Sequence, residues 1–344
     1  MRTPEFANLL SVLDRKAPSR PTLFEFFLNW DLYVRLAGPK VADVPEQKRD
    51  RWYGQRVQIA GFLGAGYDYA TMMPSGPDGF HFPQREKHRE QTISLNEGDM
   101  ITDRASFKAY PWMDPDKCDY SVFEALAPEL PRGTKFVAHG PSGVLENAIA
   151  LVGFERLCII TMTDPDLAAD IFTRIGSSLV RYYEICASFP SVGACISNDD
   201  WGFKNQTMLS PQDMRTYVFP WHTRIVEAIH KAGKPAILHS CGNLEAVMDD
   251  VIDVMKFDGK HSYEDAIMPV EDAYERWGKR IAILGGIDVD FLIRSGEDEV
   301  RKRSSAMLER AKKRGSYALG SGNSIPAYVP QEKYLTMIRC ATGG

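Results

Sequence analysis

Strand-like and helix-like stretches alternate without interruption from Asp119 to the carboxyl end of the chain. Short apolar runs that end in Gly, Pro or polar residues predict strands, and each is followed by a stretch with helical spacing of apolar residues. Two of the helices begin with a capping side chain followed by proline, at Asp164-Pro165 and Ser210-Pro211. Such alternation predicts parallel strands joined by right-handed crossovers.

We predict an α/β fold of the TIM-type (β/α)8 barrel class, because a typical barrel takes ~250 residues before insertions and this chain has 344. The first two strands are expected within 21–27 and 67–74. Residues 1–20 are predicted to be an N-terminal helical extension, and 75–118 an inserted loop with a short strand or hairpin beginning at Thr92. The whole chain, 1–344, then forms a single domain. No GxGxxG motif follows a strand and no Walker A motif is present, which argues against a Rossmann or P-loop fold.

The composition excludes several classes of partner. A formal net charge of -5 and a pI near 5.9 give no basic surface for nucleic acid. No run approaches the ~20 apolar residues that span a bilayer, so we expect a cytoplasmic protein without membrane contact. The six cysteines are scattered without a CxxC pair, which indicates free thiols. The expected partners are a small-molecule substrate and, as a further candidate, a second copy of the chain.

The segment His239-Ser240-Cys241-Gly242 follows a short apolar run and places two metal-binding residue types one residue apart. Side chains alternate in extended backbone, so His239 and Cys241 point to the same side, where a tetrahedral metal such as zinc could take both. A buried thiol beside a hydrogen-bonded histidine also fits this spacing. Zinc usually takes three or four protein ligands, so the pair alone leaves both interpretations open.

Other polar residues also follow predicted strands, and the active sites of barrels lie at the carboxyl ends of the strands. These positions are held by Glu25, His139, Asp199, Asp200, His261, Glu264, Asp288 and Asn323. Glu25 lies among aromatic residues, so if buried it requires a polar cavity or a cation. Asp199 and Asp200 are each compatible with helix capping or with a role as a base or substrate anchor. The position of Asp288 is more typical of a helix cap.

These stretches resemble the uroporphyrinogen decarboxylase superfamily over nearly the whole chain. The resemblance is clearest in Asp199-Asp200-Trp201-Gly202, Leu209-Ser210-Pro211, His239-Ser240-Cys241-Gly242, Leu284-Gly285-Gly286-Ile287-Asp288 and Ile325-Pro326. It implies a barrel fold and one of two activities. One group of the superfamily comprises cofactor-free porphyrinogen decarboxylases, and the other comprises zinc-dependent methyltransferases that work with corrinoid proteins.

The chain departs from the decarboxylases at two positions. Leu23-Phe24-Glu25-Phe26-Phe27 stands where they have an arginine-rich motif, and no aspartate lies near Met72-Met73-Pro74, where they have an essential one. A substrate with eight carboxylates needs cations around it. Uroporphyrinogen decarboxylation in porphyrin and heme biosynthesis is therefore the alternative rather than the first hypothesis.

The methyltransferases have His-x-Cys at the position of His239 and Cys241, which implies zinc here and cobalamin carried by a partner protein. Their third ligand is usually a cysteine where this chain has Asn323. The resemblance then leaves Glu25, His261, Glu264 or the substrate to complete the site. The predicted roles are metal ligand for His239, Cys241 and Glu25, catalytic residue for Asp200, His261 and Glu264, and substrate-binding residue for Asp199, His139 and Asn323.

Loss of one thiolate gives a harder site, which suits oxygen donors better than thiols. We therefore predict a zinc-dependent enzyme that moves a methyl group between a small methylated substrate, with a methoxy group, and a corrinoid protein, as in O-demethylation. A non-catalytic small-molecule binder that kept the barrel is a further alternative.

Overall fold

A computed structural model describes residues 2–74, 76, 78–84 and 95–343. Within these ranges seven strands form one parallel sheet, and each pairs with the next strand in the chain. The strands are β1 (Tyr69–Met72), β2 (Lys135–His139), β3 (Val192–Asn198), β4 (Ala236–His239), β5 (Gly259–His261), β6 (Ala282–Leu284) and β7 (Tyr317–Ala318). The sheet is curled and its strands alternate with helices, so the predicted α/β barrel class is confirmed.

The segment predicted as the first strand is irregular. The backbone of residues 22–28 pairs with the chain beyond β7 in two isolated parallel bridges, Leu23 to Leu319 and Leu28 to Ile325. On the other side, the Tyr69 hydroxyl oxygen lies 2.7 Å from both the backbone nitrogen and the backbone oxygen of Glu25. The Tyr69 side chain thus bonds the backbone groups of Glu25 that would pair with β1 if residues 22–28 formed a regular strand. The eighth strand position of the barrel is therefore held by an irregular segment.

Fifteen α-helices are found among the described residues. They are α1 (Ala7–Leu13), α2 (Trp30–Ala37), α3 (Pro39–Ala42), α4 (Tyr53–Ala65), α5 (Arg104–Ala109), α6 (Val122–Ala125), α7 (Val144–Val152), α8 (Phe154–Thr163), α9 (Pro165–Ser188), α10 (Pro211–Asp213), α11 (Phe219–Lys231), α12 (Val270–Trp277), α13 (Val289–Arg294), α14 (Glu297–Ala311) and α15 (Gln331–Thr342). None of them is long and apolar enough to cross a bilayer.

The predicted helix starts agree with the structure. Asp164 accepts a hydrogen bond from the Leu167 N–H at the start of α9, and Ser210 accepts one from the Asp213 N–H at the start of α10. Asp288 caps α13 by accepting from the Phe291 N–H at 2.9 Å. These caps satisfy N–H groups that the first turn of a helix leaves free.

Two predicted helices are interrupted. A π-helical turn, Met214–Val218, separates α10 from α11, because Pro220 has no N–H to continue the α-helical ladder. The helix predicted over 243–255 is present in mixed form, with a 3₁₀ turn, Glu245–Val247, at its start and a π-helical turn, Asp250–Val254, at its end. Other 3₁₀ turns cover Glu46–Lys48, Pro115–Lys117 and Ala127–Glu129.

The predicted N-terminal extension carries α1, which packs across the amino-terminal ends of the strands. The Phe6 ring lies against Gly193 at the start of β3, and Leu13 lies against Gly259 at the start of β5. Of the predicted insertion, the described part contains α5. The hairpin predicted to begin at Thr92 falls at 92–94, outside the described residues. The amino-terminal end is therefore closed, and the opposite end of the barrel is left for a site.

Candidate metal centre

Three potential ligands meet beyond the carboxyl ends of β3 and β4. One ligand atom each from Asp200, His239 and Cys241 lies within 4.8 Å of the other two. Cys241 Sγ is 3.9 Å from His239 Nε2, so the two side chains face each other as their spacing predicts. Strands β3 and β4 pair with Asn198 opposite His239, which brings Asp200, two residues on, level with Cys241.

Hydrogen bonds fix the thiol and the carboxylate of this group. The Cys241 backbone N–H donates to Asp200 Oδ1 at 2.8 Å, and Asn323 Nδ2 donates to Cys241 Sγ at 3.3 Å. Asn323 thus touches the sulfur from the position where the resemblance implies a third thiolate. Gly242, with φ +86°, lies so close to Gly202 that a Cβ would come 2.0 Å from the Gly202 carbonyl oxygen. This approach locks together the loops that carry Asp200 and Cys241.

A relay of two imidazoles orients His239. His261 Nε2 lies 3.2 Å from the Ser321 carbonyl oxygen, which can only accept, so this nitrogen carries the proton. His261 Nδ1 is then bare and accepts from His239 Nδ1–H, 2.8 Å away. His239 Nε2 is therefore left bare and faces Cys241, which is the tautomer that a metal requires. The predicted catalytic residue His261 thus lies behind His239, fully buried, and positions it.

Burial dominates the protonation of the three groups, and the buried Lys260 nearby offsets it only in part for Cys241 and Asp200. Burial, and then Asp200, raise the pKa of Cys241 to about 12, and burial raises the pKa of Asp200. Burial and the neighbouring His261 lower the pKa of His239 well below its usual value. A divalent cation would favour the deprotonated form of each group. One imidazole nitrogen, one thiolate and one carboxylate oxygen also form a ligand set that zinc accepts, so these residues fit that metal.

Glu25, predicted as a metal ligand, lies outside this group. One of its carboxyl oxygens accepts from the Ser321 N–H at 3.1 Å, and the other lies 2.8 Å from the Ser321 hydroxyl oxygen. Burial raises the pKa of Glu25 to about 8, so the side chain is neutral at pH 7. The sequence predicts a polar cavity or a cation for a buried Glu25, whereas its carboxyl is held by the backbone and hydroxyl of Ser321.

Asp199, predicted to bind substrate, points away from the site. It is completely buried, and its oxygens accept from the backbone N–H groups of Leu145 and Glu146, both at 2.9 Å. His222 Nε2 lies 2.8 Å from Asp199 Oδ2, and its Nδ1 lies 3.1 Å from the Ser197 hydroxyl. Asp199 therefore anchors the start of α7 to the end of β3. His222 could not be recognised from the sequence, because it lies within an amphipathic helix.

The metal group opens into a cavity of about 570 Å³. Aromatic and polar side chains line this cavity: Phe26, Phe27, Met73, His81, Phe82, Gln84, His139, Ser142, Glu146, Asn147, Asn198, Asp200, His239, Cys241, Asn323 and Ser324. The predicted substrate-binding residues His139 and Asn323 are among them. Glu264, predicted to be catalytic, instead lines a smaller neighbouring cavity together with the buried Lys260.

Glu146 was not singled out from the sequence, where it reads as a capping residue three positions after Gly143. Its carboxyl does lie 3.4 Å from the Gly143 N–H, but it also faces the cavity. Burial, and then Asp199 and Asp200, raise the pKa of Glu146 to about 8. Burial also lowers the pKa of His139 to about 4. These shifts favour a protonated carboxyl at Glu146 and a neutral imidazole at His139 in the cavity.

Residues 133–343, more than half of the chain, match the sequence model of the family described as Uroporphyrinogen decarboxylase (URO-D). The chain belongs to the URO-D family. Among curated members, the uroporphyrinogen decarboxylase of Anaeromyxobacter dehalogenans (strain 2CP-C) is 26% identical over 223 residues, which cover 63% of this chain and 60% of that protein. The uroporphyrinogen decarboxylase of Trichodesmium erythraeum (strain IMS101) is 27% identical over 129 residues, 36% of this chain and 34% of its own length. The chain thus matches 60% or less of the length of these relatives.

Among solved structures, this URO-D family member is similar to a methyltransferase from Methanosarcina mazei. The TM-score is 0.71 and the identity 15%, and the superposition covers 99% of both chains. At this identity the likeness shows a common fold, which agrees with the resemblance drawn from the sequence.

Proposed function

We propose that this protein is a zinc-dependent methyltransferase that moves a methyl group from a small methoxy substrate to a corrinoid protein. The observation that carries the proposal is the group of Asp200, His239 and Cys241, whose ligand atoms lie within 4.8 Å of one another at the wall of a 570 Å³ cavity. Its place beyond the carboxyl ends of the strands is where barrel enzymes hold their active sites.

The donor set favours an oxygen-bearing substrate. Asp200 contributes a carboxylate and Asn323 an amide at the positions that surround the single thiol, which makes the set harder than one with two thiolates. When bound by Asp200, His239 and Cys241, zinc would act as a Lewis acid that polarises the ether oxygen of the substrate.

The side chains around the group provide the remaining functions. Phe26, Phe27 and Phe82 line the cavity with apolar surface that excludes water from the reacting atoms. Burial raises the pKa of Glu146, which favours its protonated form, so this carboxyl is placed to deliver a proton to the oxygen that loses its methyl group. His139, neutral in the same cavity, is available as a hydrogen-bonding partner of the substrate.

Porphyrinogen decarboxylation is the second candidate, favoured by the matched family and by the curated relatives. The cavity supports it less well. Among the described residues that line the cavity, none is a lysine or an arginine, whereas two are carboxylic acids, Glu146 and Asp200. Carboxylate groups of a substrate would require cations at these positions.

The two candidates are separated by a methyl-transfer assay with the purified protein, added zinc and cob(I)alamin. We expect methylcobalamin to form with aromatic methyl ethers, detected from its absorption spectrum, and we expect Cys241→Ala to abolish this reaction. Cys340→Ala, a change on α15 far from the site, serves as the matched control and is expected to retain the rate. Absence of methylation with both methoxy and methylamine donors, together with decarboxylation of uroporphyrinogen, would contradict the proposal.

A further inference from the structure

Glu25 is a buried carboxylic acid that the proposed chemistry does not use. It is 0% exposed and is not among the described residues that line the cavity. A buried carboxyl group is costly unless its oxygens are hydrogen-bonded. Both oxygens contact one residue: Oε2 accepts from the Ser321 N–H at 3.1 Å, and Oε1 lies 2.8 Å from Ser321 Oγ. The effect of Glu25 on the site is therefore transmitted through Ser321.

Ser321 supports the metal group from two directions. Its carbonyl oxygen lies 3.2 Å from His261 Nε2, at the end of the relay that orients His239. Its hydroxyl also contacts the carbonyl oxygen of Asn323, the residue whose side-chain amide donates to Cys241 Sγ at 3.3 Å. Ser321 thus helps to hold both His239 and Cys241.

The hydroxyl of Ser321 has one proton but two neighbouring oxygen atoms, Glu25 Oε1 and the Asn323 carbonyl oxygen. The carbonyl oxygen can only accept, so its bond requires the Ser321 proton. Glu25 must then donate to Ser321 Oγ, which only a protonated carboxyl can do. An ionised Glu25 would instead compete with the carbonyl for the same proton. Both contacts are therefore satisfied together only when Glu25 is protonated.

The surroundings of Glu25 also favour the protonated form. Burial raises its pKa to about 8, and no lysine, arginine or histidine in the described part of the chain pairs with its carboxyl. His261, which bonds the Ser321 carbonyl, is neutral because burial lowers its pKa to about 3. The titratable side chains that interact with Glu25 electrostatically are tyrosines whose pKa burial raises, so they too are neutral: Tyr33 of α2, Tyr67 just before β1, Tyr69 of β1 and Tyr334 of α15.

We propose that protonated Glu25 is a positioning residue for the metal group, because its donation to Ser321 Oγ leaves the Ser321 proton to hold the Asn323 backbone. This inference rests on the proposed function, since the group held in place is taken to bind zinc. When Glu25 loses its proton to solvent, the Ser321 hydroxyl turns to the carboxylate and releases the Asn323 carbonyl. Asn323 then holds Cys241 less firmly, and zinc binding weakens.

Glu25→Gln tests this role, because the glutamine amide can donate to Ser321 Oγ and accept from the Ser321 N–H at any pH. Competition with a chromophoric zinc chelator, from about pH 6 to about pH 9, compares the variant with the wild type. We expect equal zinc affinities at about pH 6. At about pH 9 we expect Glu25→Gln to bind zinc about three- to tenfold more tightly, since the wild type has then lost one uncharged hydrogen bond.

Two serine variants are the controls for this experiment. Ser321→Ala removes the hydroxyl on which both contacts depend, so it should bind zinc more weakly than the wild type at about pH 6. Ser304→Ala removes another buried hydroxyl, on α14, and should follow the wild type at every pH. A ratio of zinc affinities between Glu25→Gln and wild type that stays constant with pH would overturn the inference.

Thermal unfolding without zinc tests the protonation of Glu25 independently of the metal. A carboxyl whose pKa is raised in the folded protein costs stability as the pH rises from its unfolded to its folded pKa. The unfolding temperature of Glu25→Gln relative to wild type should therefore rise between about pH 5 and about pH 8 and then level off. A constant difference would overturn the inference. The expected rise in two proteins that bind no zinc would instead contradict the proposed function.

Discussion

Replacing His261 with leucine is expected to lower the zinc affinity of the protein about 10- to 100-fold, the usual effect of losing a partner that orients a metal ligand. His261 accepts from His239 Nδ1–H at 2.8 Å and thereby leaves His239 Nε2 bare towards Cys241 and Asp200. Leucine cannot accept this hydrogen bond, so His239 loses its preference for the metal-binding tautomer. Competition with a chromophoric zinc chelator at pH 7 measures the affinity.

His261→Asn is the matched variant for this experiment. The asparagine Oδ1 can accept the proton of His239 Nδ1, so His261→Asn should retain more zinc affinity than His261→Leu. Circular dichroism and thermal unfolding of both variants separate a loss of the relay from a loss of the fold. An equal decrease of zinc affinity in two folded variants would contradict the assignment of tautomers.

Replacing Asp199 with alanine is expected to lower the free energy of unfolding by about 3–5 kcal/mol, the cost of removing one partner from a buried polar pair. Asp199 is 0% exposed and binds two N–H groups of α7 as well as His222. Without it, these donors remain buried and unsatisfied. Urea denaturation at 25 °C measures the change.

Asp166→Ala is the control for the Asp199 variant. Asp166 lies exposed in the first turn of α9, where it contributes through the helix dipole alone, so we expect a loss below about 1 kcal/mol. If Asp199→Ala and Asp166→Ala lose similar amounts, Asp199 does not anchor α7 as described. A destabilised but folded Asp199→Ala protein should also show weaker substrate binding, because α7 carries Glu146 into the cavity.

The sequence is sufficient for the fold class and for one pair of site residues. Alternating strands and helices allow few arrangements other than a parallel α/β fold, and the two-residue spacing of His239 and Cys241 requires nearby side chains in extended backbone. The irregularity of 22–28 could not be predicted, because it depends on the Tyr69 hydroxyl, 2.7 Å from the backbone of Glu25.

The third member of the metal group depends on the register between strands. Asp199 and Asp200 are neighbours of the same type, and the sequence does not show which of them lies beside Cys241. Because Asn198 pairs with His239, Asp200 is the one that lies beside Cys241. The same limit applies to Glu25, whose partner Ser321 is distant in sequence.

Two residues could not be recognised from the sequence for the same reason. Glu146 has the position of an ordinary capping residue, and His222 lies within an amphipathic helix. Each is recognised by what surrounds it, which is a property of tertiary packing.

The most direct test of the metal-assisted mechanism is the metal content of the protein purified without added metal, measured by elemental analysis. We expect close to one zinc per chain in the wild type and its loss in both His239→Ala and Cys241→Ala, since each variant removes a ligand from the three-residue group. A wild-type protein that holds no zinc, even after zinc is supplied, would contradict the mechanism and leave decarboxylation or simple ligand binding to be tested.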